Sequence, residues 1–144
     1  MTIYLVKEAD SGSPGSWPGP SRLRPITREG RRQARALVAC LEGRPISRIL
    51  TGPNLRCRET VMPLADARDL VIESDHALGE VAEVDRALAV VRGAAARPLL
   101  VCTHSSLVDA MVGRLLLDGW MVEGGAGLTD GLVWLVEEVV LEAS

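Results

Sequence analysis

Residues 98–104, PLLVCTH, form an almost unbroken apolar run that stops at a polar Thr-His pair. A short continuous run of this kind suits a strand covered on both faces, and such strands belong to parallel sheets with helices packed above and below. The rest of the chain fits that frame. Ile3-Tyr4-Leu5-Val6 reads as a first strand, Ser47-Arg48-Ile49-Leu50 as a second and Leu70-Val71-Ile72 as a third, with GLVWLVEEVVLE (131–142) closing the chain as a long strand. Between them lie helical patterns. Thr27 is placed to cap a helix running to about Glu42, with Ala34, Leu37, Val38 and Leu41 on one side and arginines on the other. Pro53 and Asn54 suit entry into a second helix carrying Leu55, Val61 and Leu64, which Pro63 is expected to kink or break. Val81, Val84, Leu88 and Val91 mark a third helix, and Leu107, Val108, Met111, Val112, Leu115 and Leu116 a fourth. The alternation predicts a three-layer α/β sandwich, with a mostly parallel central sheet and helices on both faces. Its 144 residues suit one domain spanning the chain.

In such sheets, sites collect where loops leave the carboxyl ends of the strands. Three strands run into polar residues there: Lys7-Glu8 after the first, Thr51 to Arg56 after the second, and Thr103-His104-Ser105 after the central one. The 11–25 stretch, SGSPGSWPGPSRLRP, has the Gly, Pro and Ser density of a loop. It is long for a compact domain and so a candidate functional segment. Trp17 within it is placed either to cover the pocket mouth or to pin the loop.

Taken in order, the three segments resemble the signature of the histidine phosphatase superfamily, the group of phosphoglycerate mutases and small phosphohistidine phosphatases. In that family a first strand ends in Arg-His-Gly or Arg-His-Ala, a later loop reads roughly Ser-Ser-Pro-x-x-Arg-Cys-x-x-Thr, and a central strand ends in a second His. The counterparts are Lys7-Glu8-Ala9, TGPNLRCRET (51–60) and Val101-Cys102-Thr103-His104. RLRPITREGRRQA (22–34) and GLVWLVE (131–137) resemble the family's connecting stretch and closing strand. The resemblance implies a phosphoglycerate mutase-like fold. It also implies a metal-free and cofactor-free reaction, in which the first His attacks phosphorus while arginines and the second His spread the phosphoryl charge.

Carried over by position, Arg56 and His104 become the phosphate-binding and catalytic candidates. Glu80, in ALGEV, becomes the candidate acid for the leaving oxygen, against the plainer role of an exposed acid suiting a helix start. The first strand departs from the pattern. Lys7, the only lysine against fifteen arginines, keeps a positive charge but lacks the planar fork. Glu8 stands where the nucleophile belongs. A carboxylate there repels a phosphoryl dianion by about 4 kcal/mol per charge pair at 4 Å and an effective dielectric near 20. Glu8 is therefore expected to pair with Arg56 and Lys7 and to fill the pocket. Two functions follow. One is a pseudophosphatase acting as a binding or regulatory module. The other is an active phosphatase, hydrolysing phosphohistidine or small phosphoesters with Glu8 as nucleophile or base.

The remaining residues add exclusions. Cys40, Cys57 and Cys102 lack metal-ligand spacing and suit reduced thiols, while Cys102 and His104, on one strand face, read as packing rather than a catalytic pair. His76 reads as a surface loop residue, and no structural zinc site is expected. A net charge of −3 with interspersed signs argues against nucleic acid and membrane partners, and no apolar run reaches the length of a membrane span. With no export signal, the expected location is the cytoplasm, and the expected partners are phosphorylated small molecules or phosphoproteins. Oligomeric state is not legible.

Overall fold

A computed structural model describes residues 1–124 and 133–138. Six strands form one mixed sheet: β1 (Thr2–Lys7), β2 (Arg48–Thr51), β3 (Ile72–Ser74), β4 (Leu99–Thr103), β5 (Met121–Gly124) and β6 (Val133–Glu137). Their order across the sheet is β3-β2-β4-β1-β6-β5. The first four run parallel, and β6 and β5 add antiparallel at the far side. Four helices cover the faces: α1 (Arg28–Cys40), α2 (Leu55–Arg68), α3 (Val84–Ala94) and α4 (Ser105–Leu117).

Period-two alternation along β1 divides the core in two. Ile3 and Leu5 join Leu99 and Val101 against α3 and α4, while Tyr4 and Val6 join Leu100 and Cys102 against α1 and α2. Every residue of β4 is buried, as its unbroken apolar run requires. The same alternation continues past the end of β1 and sends Lys7 toward α4 and Glu8 toward α2.

Two glycines set the helices close to the sheet edge. A Cβ on Gly30 would stand 2.2 Å from the Asp10 carbonyl, which also accepts the Thr27 N–H at 2.8 Å. Only glycine lets the first turn of α1 sit against the chain that has just left Glu8. At Gly52 a Cβ would stand 2.4 Å from the Leu78 carbonyl, so glycine admits the short 3-10 turn at His76–Leu78 over the end of β2. That turn delivers Gly79 and Glu80 to the same edge.

Several local expectations need correction. The third strand occupies Ile72–Ser74 rather than 70–72, because Leu70 is spent on ending α2. Asp69 takes the left-handed conformation (φ 54°) and the Leu70 N–H bonds the Ala65 carbonyl. Val81 lies before α3 and is fully exposed; Ala87 completes the buried stripe with Leu88 and Val91. Leu116 is half exposed. Pro63 sits inside α2, which continues to Arg68. The 11–25 loop contains two 3-10 turns, Pro14–Ser16 and Ser21–Leu23. Strand β5 had no counterpart in the sequence reading. Of the expected closing strand, residues 133–137 form β6, and 131, 132 and 139–142 lie outside the described residues.

Candidate active site

The carboxyl edge of the parallel strands gathers Lys7, Glu8, Arg56, Glu80 and His104. Arg56 is the hub. It lies in the first turn of α2 and is 2% exposed, among the most buried large side chains of the protein. Its Nη1 donates to the Ser21 carbonyl at 2.7 Å, and its Nη2 pairs with Glu80. Its Nε lies 3.4 Å from Glu8 Oε2, within ion-pair range but misaligned for a hydrogen bond, so that buried N–H has none. One guanidinium thus faces two carboxylates and a carbonyl, with both terminal nitrogens engaged and its Nε–H left without a hydrogen bond.

Glu8 is fixed from three sides. Its N–H continues the sheet by bonding the Thr103 carbonyl at 3.0 Å. The Cys57 thiol donates to Oε2 at 3.6 Å, and the next residue, Ala9, donates its N–H to the Thr60 hydroxyl at 2.9 Å. Arg56, Cys57 and Thr60 recur at helical spacing on one side of α2, so a single helix turn presents all three to the end of β1. The Glu8 side chain is 17% exposed.

Lys7 does not join Glu8. It forms an ion pair with Asp109 Oδ1 on α4 at 2.9 Å, because adjacent strand residues project to opposite faces. Glu80 also departs from the plainer expectation. It precedes α3 by four residues, pairs with Arg56 and accepts from Asn54 Nδ2 at 3.0 Å, although nearly half of its side chain is exposed. Asn54 therefore serves Glu80 and makes no side-chain cap on α2.

His104 forms the N-cap position of α4. Its Nε2 lies 3.0 Å from the Gly79 carbonyl and its Nδ1 3.0 Å from the Ser106 hydroxyl. A carbonyl only accepts, so Nε2 carries the proton, while the Ser106 hydroxyl, which can donate or accept, partners Nδ1. Both ring nitrogens are engaged. Beside His104 lies an open depression of about 240 Å³, lined by Glu80, Ala82, Val84, Ser106, Leu107 and Ala110 as well. Arg56 does not line it.

Other residues take plainer roles. Burial pushes the Cys102 thiol well above its ordinary pKa, and the adjoining Cys57 thiol and the Glu8 charge act in the same direction. A thiol held protonated in this way is packing, not a nucleophile. Trp17 donates its indole N–H to the Pro20 carbonyl at 2.9 Å and packs over Gly19, so it pins its own loop. His76 is exposed. Arg24, which the sequence reading passed over, is a second buried guanidinium; its Nη2 donates to Ser11 Oγ at 3.3 Å and its Nε has no partner. Asp109, Ser21 and Gly79 were also passed over. Two of them contribute only backbone carbonyls, which carry no residue-type signal, whereas Asn54 and Thr60 lay within TGPNLRCRET. Among the described residues no cluster of His, Cys, Asp and Glu has the makings of a metal site, and no helix is long and apolar enough to cross a membrane.

Comparison with known proteins bears on the fold and the family. The family model for the histidine phosphatase superfamily (branch 1) matches residues 24–85, a stretch that contains Arg56 and Glu80 but neither Glu8 nor His104. An 8-oxo-(d)GTP phosphatase of Mycolicibacterium smegmatis is 27% identical over 117 residues, 77% of this chain and 36% of that protein. The chain thus spans about a third of the length of this curated relative. The protein histidine phosphatase SixA, solved with tungstate, superposes with a TM-score of 0.71 at 24% identity over 80% of this chain and 76% of its own. YhfR of Bacillus stearothermophilus gives 0.69 at 17% identity over 92% and 95%. At these identities the structural likeness speaks for the fold alone, an α/β sandwich with a mixed sheet.

Proposed function

We propose that the chain is a catalytically impaired member of the histidine phosphatase superfamily, a pseudophosphatase that serves as a binding or regulatory module. One observation carries this reading: the Arg56 guanidinium already holds Glu8, Glu80 and the Ser21 carbonyl. An incoming phosphoryl dianion must displace Glu80 and still face Glu8, at a cost of about 4 kcal/mol for each charge pair left near 4 Å. His104 offers no help, since both of its nitrogens are bonded within the protein. Lys7, pointing to Asp109, supplies no second cation. The Arg56 charge is balanced by carboxylates without a ligand, although its Nε–H makes no hydrogen bond, and Glu8 takes the place the family gives to its nucleophile. A single domain and a cytoplasmic setting complete the reading.

The alternative is an active phosphatase with Glu8 as nucleophile or base, acting on phosphohistidine or small phosphoesters. Two observations favour it: two of the relatives named above, the 8-oxo-(d)GTP phosphatase and SixA, are phosphatases, and the exposed Glu80 side chain is free to swing away from Arg56. The two readings separate in one assay. The wild type is offered an aryl phosphate with and without magnesium, and the measurement is repeated with Glu8→Gln. The pseudophosphatase gives no turnover in any arm. Turnover in the wild type that disappears in Glu8→Gln establishes the enzyme instead.

A further inference from the structure

The solvent face of α1 breaks a rule that helices normally keep. Arg28, Arg31, Arg32 and Arg35 fall within an arc of about 100° and a length of about 10 Å at helical spacing, opposite the buried Ala34 and Leu37. Three of the four lie in the first half of the helix, where the macrodipole is positive and a cation destabilises. Glu29 offsets only Arg32, to which it is paired. Asp10 bonds the Thr27 hydroxyl and Glu59 the Ile26 N–H, and neither stands within ion-pair range of Arg28, Arg31 or Arg35. Arg28, Arg31 and Arg35 have no acidic partner within ion-pair range among the described residues, and neither does Arg58 in the first turn of the adjoining α2. Two apolar side chains stand with them in the open. Leu23 is 46% exposed on the 3-10 turn beside α2, and Met62 is 42% exposed one turn beyond Arg58.

We propose that this α1/α2 face is a docking surface for an acidic protein segment carrying an apolar anchor. Unpaired arginines flanking exposed Leu and Met are the composition of a recognition surface, with charge steering the encounter and the apolar contacts holding it. Wrong-sign charges retained at a helix start point the same way, since they are costly until an anion arrives. A polynucleotide fits less well. The chain is acidic overall, with a net charge of −3, which repels a long polyanion but leaves a short acidic segment room on the basic stripe. The surface stands independently of whether Glu8 turns over a phosphate.

The test is fluorescence anisotropy on the full chain with a labelled, glutamate-rich peptide bearing one leucine, at low and physiological salt, with a single-stranded oligonucleotide as the second probe. The peptide is expected to bind the wild type, more weakly as salt rises. Arg28→Gln/Arg31→Gln/Arg35→Gln should lose roughly threefold to 150-fold in affinity, the sum of about 0.2–1 kcal/mol for each of three exposed charge contacts. Arg86→Gln/Arg97→Gln, exposed on the other side, should keep wild-type affinity. The triple variant should also melt above the wild type, because it removes charges that oppose the dipole; this melt confirms that it is folded. Three results overturn the proposal: no peptide binding by the wild type, equal binding by the folded triple variant, or tighter capture of the oligonucleotide than of the peptide.

Discussion

The Glu8 carboxylate and the Arg56 guanidinium face each other across the carboxyl edge of the sheet, Oε2 to Nε, at 3.4 Å. One ends β1 and the other begins α2, 48 positions away by their numbers in the sequence. With the guanidinium 2% and the carboxylate 17% exposed, the two charges are shielded from water and depend on each other. Removing one partner of a shielded pair leaves the other uncompensated, which costs about 3–5 kcal/mol when burial is complete. Arg56→Met should therefore destabilise the protein by about 3 kcal/mol in urea unfolding. Adding Glu8→Gln should restore part of that loss, giving a positive coupling in the double-mutant cycle. Strictly additive losses would show that the pair does not interact.

The scaffold around the pair retains Arg56 and His104, so the chemistry should be recoverable at β1. Lys7→Arg/Glu8→His is expected to release phenolate from an activated aryl phosphate where the wild type does not, with Glu8→His alone slower. Lys7 lies toward Asp109, so the arginine contributes only if its longer fork reaches back over the edge. A folded double variant with no turnover would count against a pocket that is intact but disarmed.

Gly30 and Gly113 give a controlled pair of substitutions within helices. Alanine normally stabilises a helix interior by up to about 1 kcal/mol over glycine. At Gly113 in α4 the added methyl meets nothing within 4 Å, so Gly113→Ala should show that gain. At Gly30 the methyl meets the Asp10 carbonyl at 2.2 Å, and Gly30→Ala should instead lose about 1–3 kcal/mol. It should also loosen the chain just beyond Glu8. Thermal melts of the two variants moving in the same direction would refute the close approach.

The cysteines should separate by burial. Cys40, partly exposed, should react with a thiol reagent in the native protein, while Cys57 and Cys102 wait for unfolding. Burial raises the Cys102 thiol above its unfolded pKa, so the native state favours the protonated form. That preference contributes fully below the unfolded value of about 8.5 and is lost as pH rises toward the folded value. Stability should fall in alkaline solution by about 1.4 kcal/mol per pH unit from this group, and Cys102→Ala should flatten that slope. An identical slope in the variant would remove Cys102 as its source.

How far the sequence reached depended on the range of the interactions involved. Hydrophobic period and length marked β4, β1, α1 and α4, because burial on one or both faces leaves its record in consecutive residues. The Thr27 cap was equally local, and its hydroxyl accepts the Gly30 N–H at 3.1 Å. Boundaries set by capping geometry were less legible. Leu70 reads as strand by type, but the left-handed turn at Asp69 commits it to closing α2.

The charges at the edge show where sequence stops and tertiary structure begins. LVKEAD by itself determined that a cation and an anion end the first strand. Read alone it suggested that Glu8 pairs with Lys7, whereas strand alternation in the fold sends the two to opposite faces. Only the packed fold decided their partners, Asp109 of α4 for Lys7 and Arg56 of α2 for Glu8. The fold also brought Glu80 to Arg56, through a turn admitted by Gly52. A charge finds its partner by distance in space, and that distance is set by how helices seat on a sheet, which residues far apart in the chain fix together.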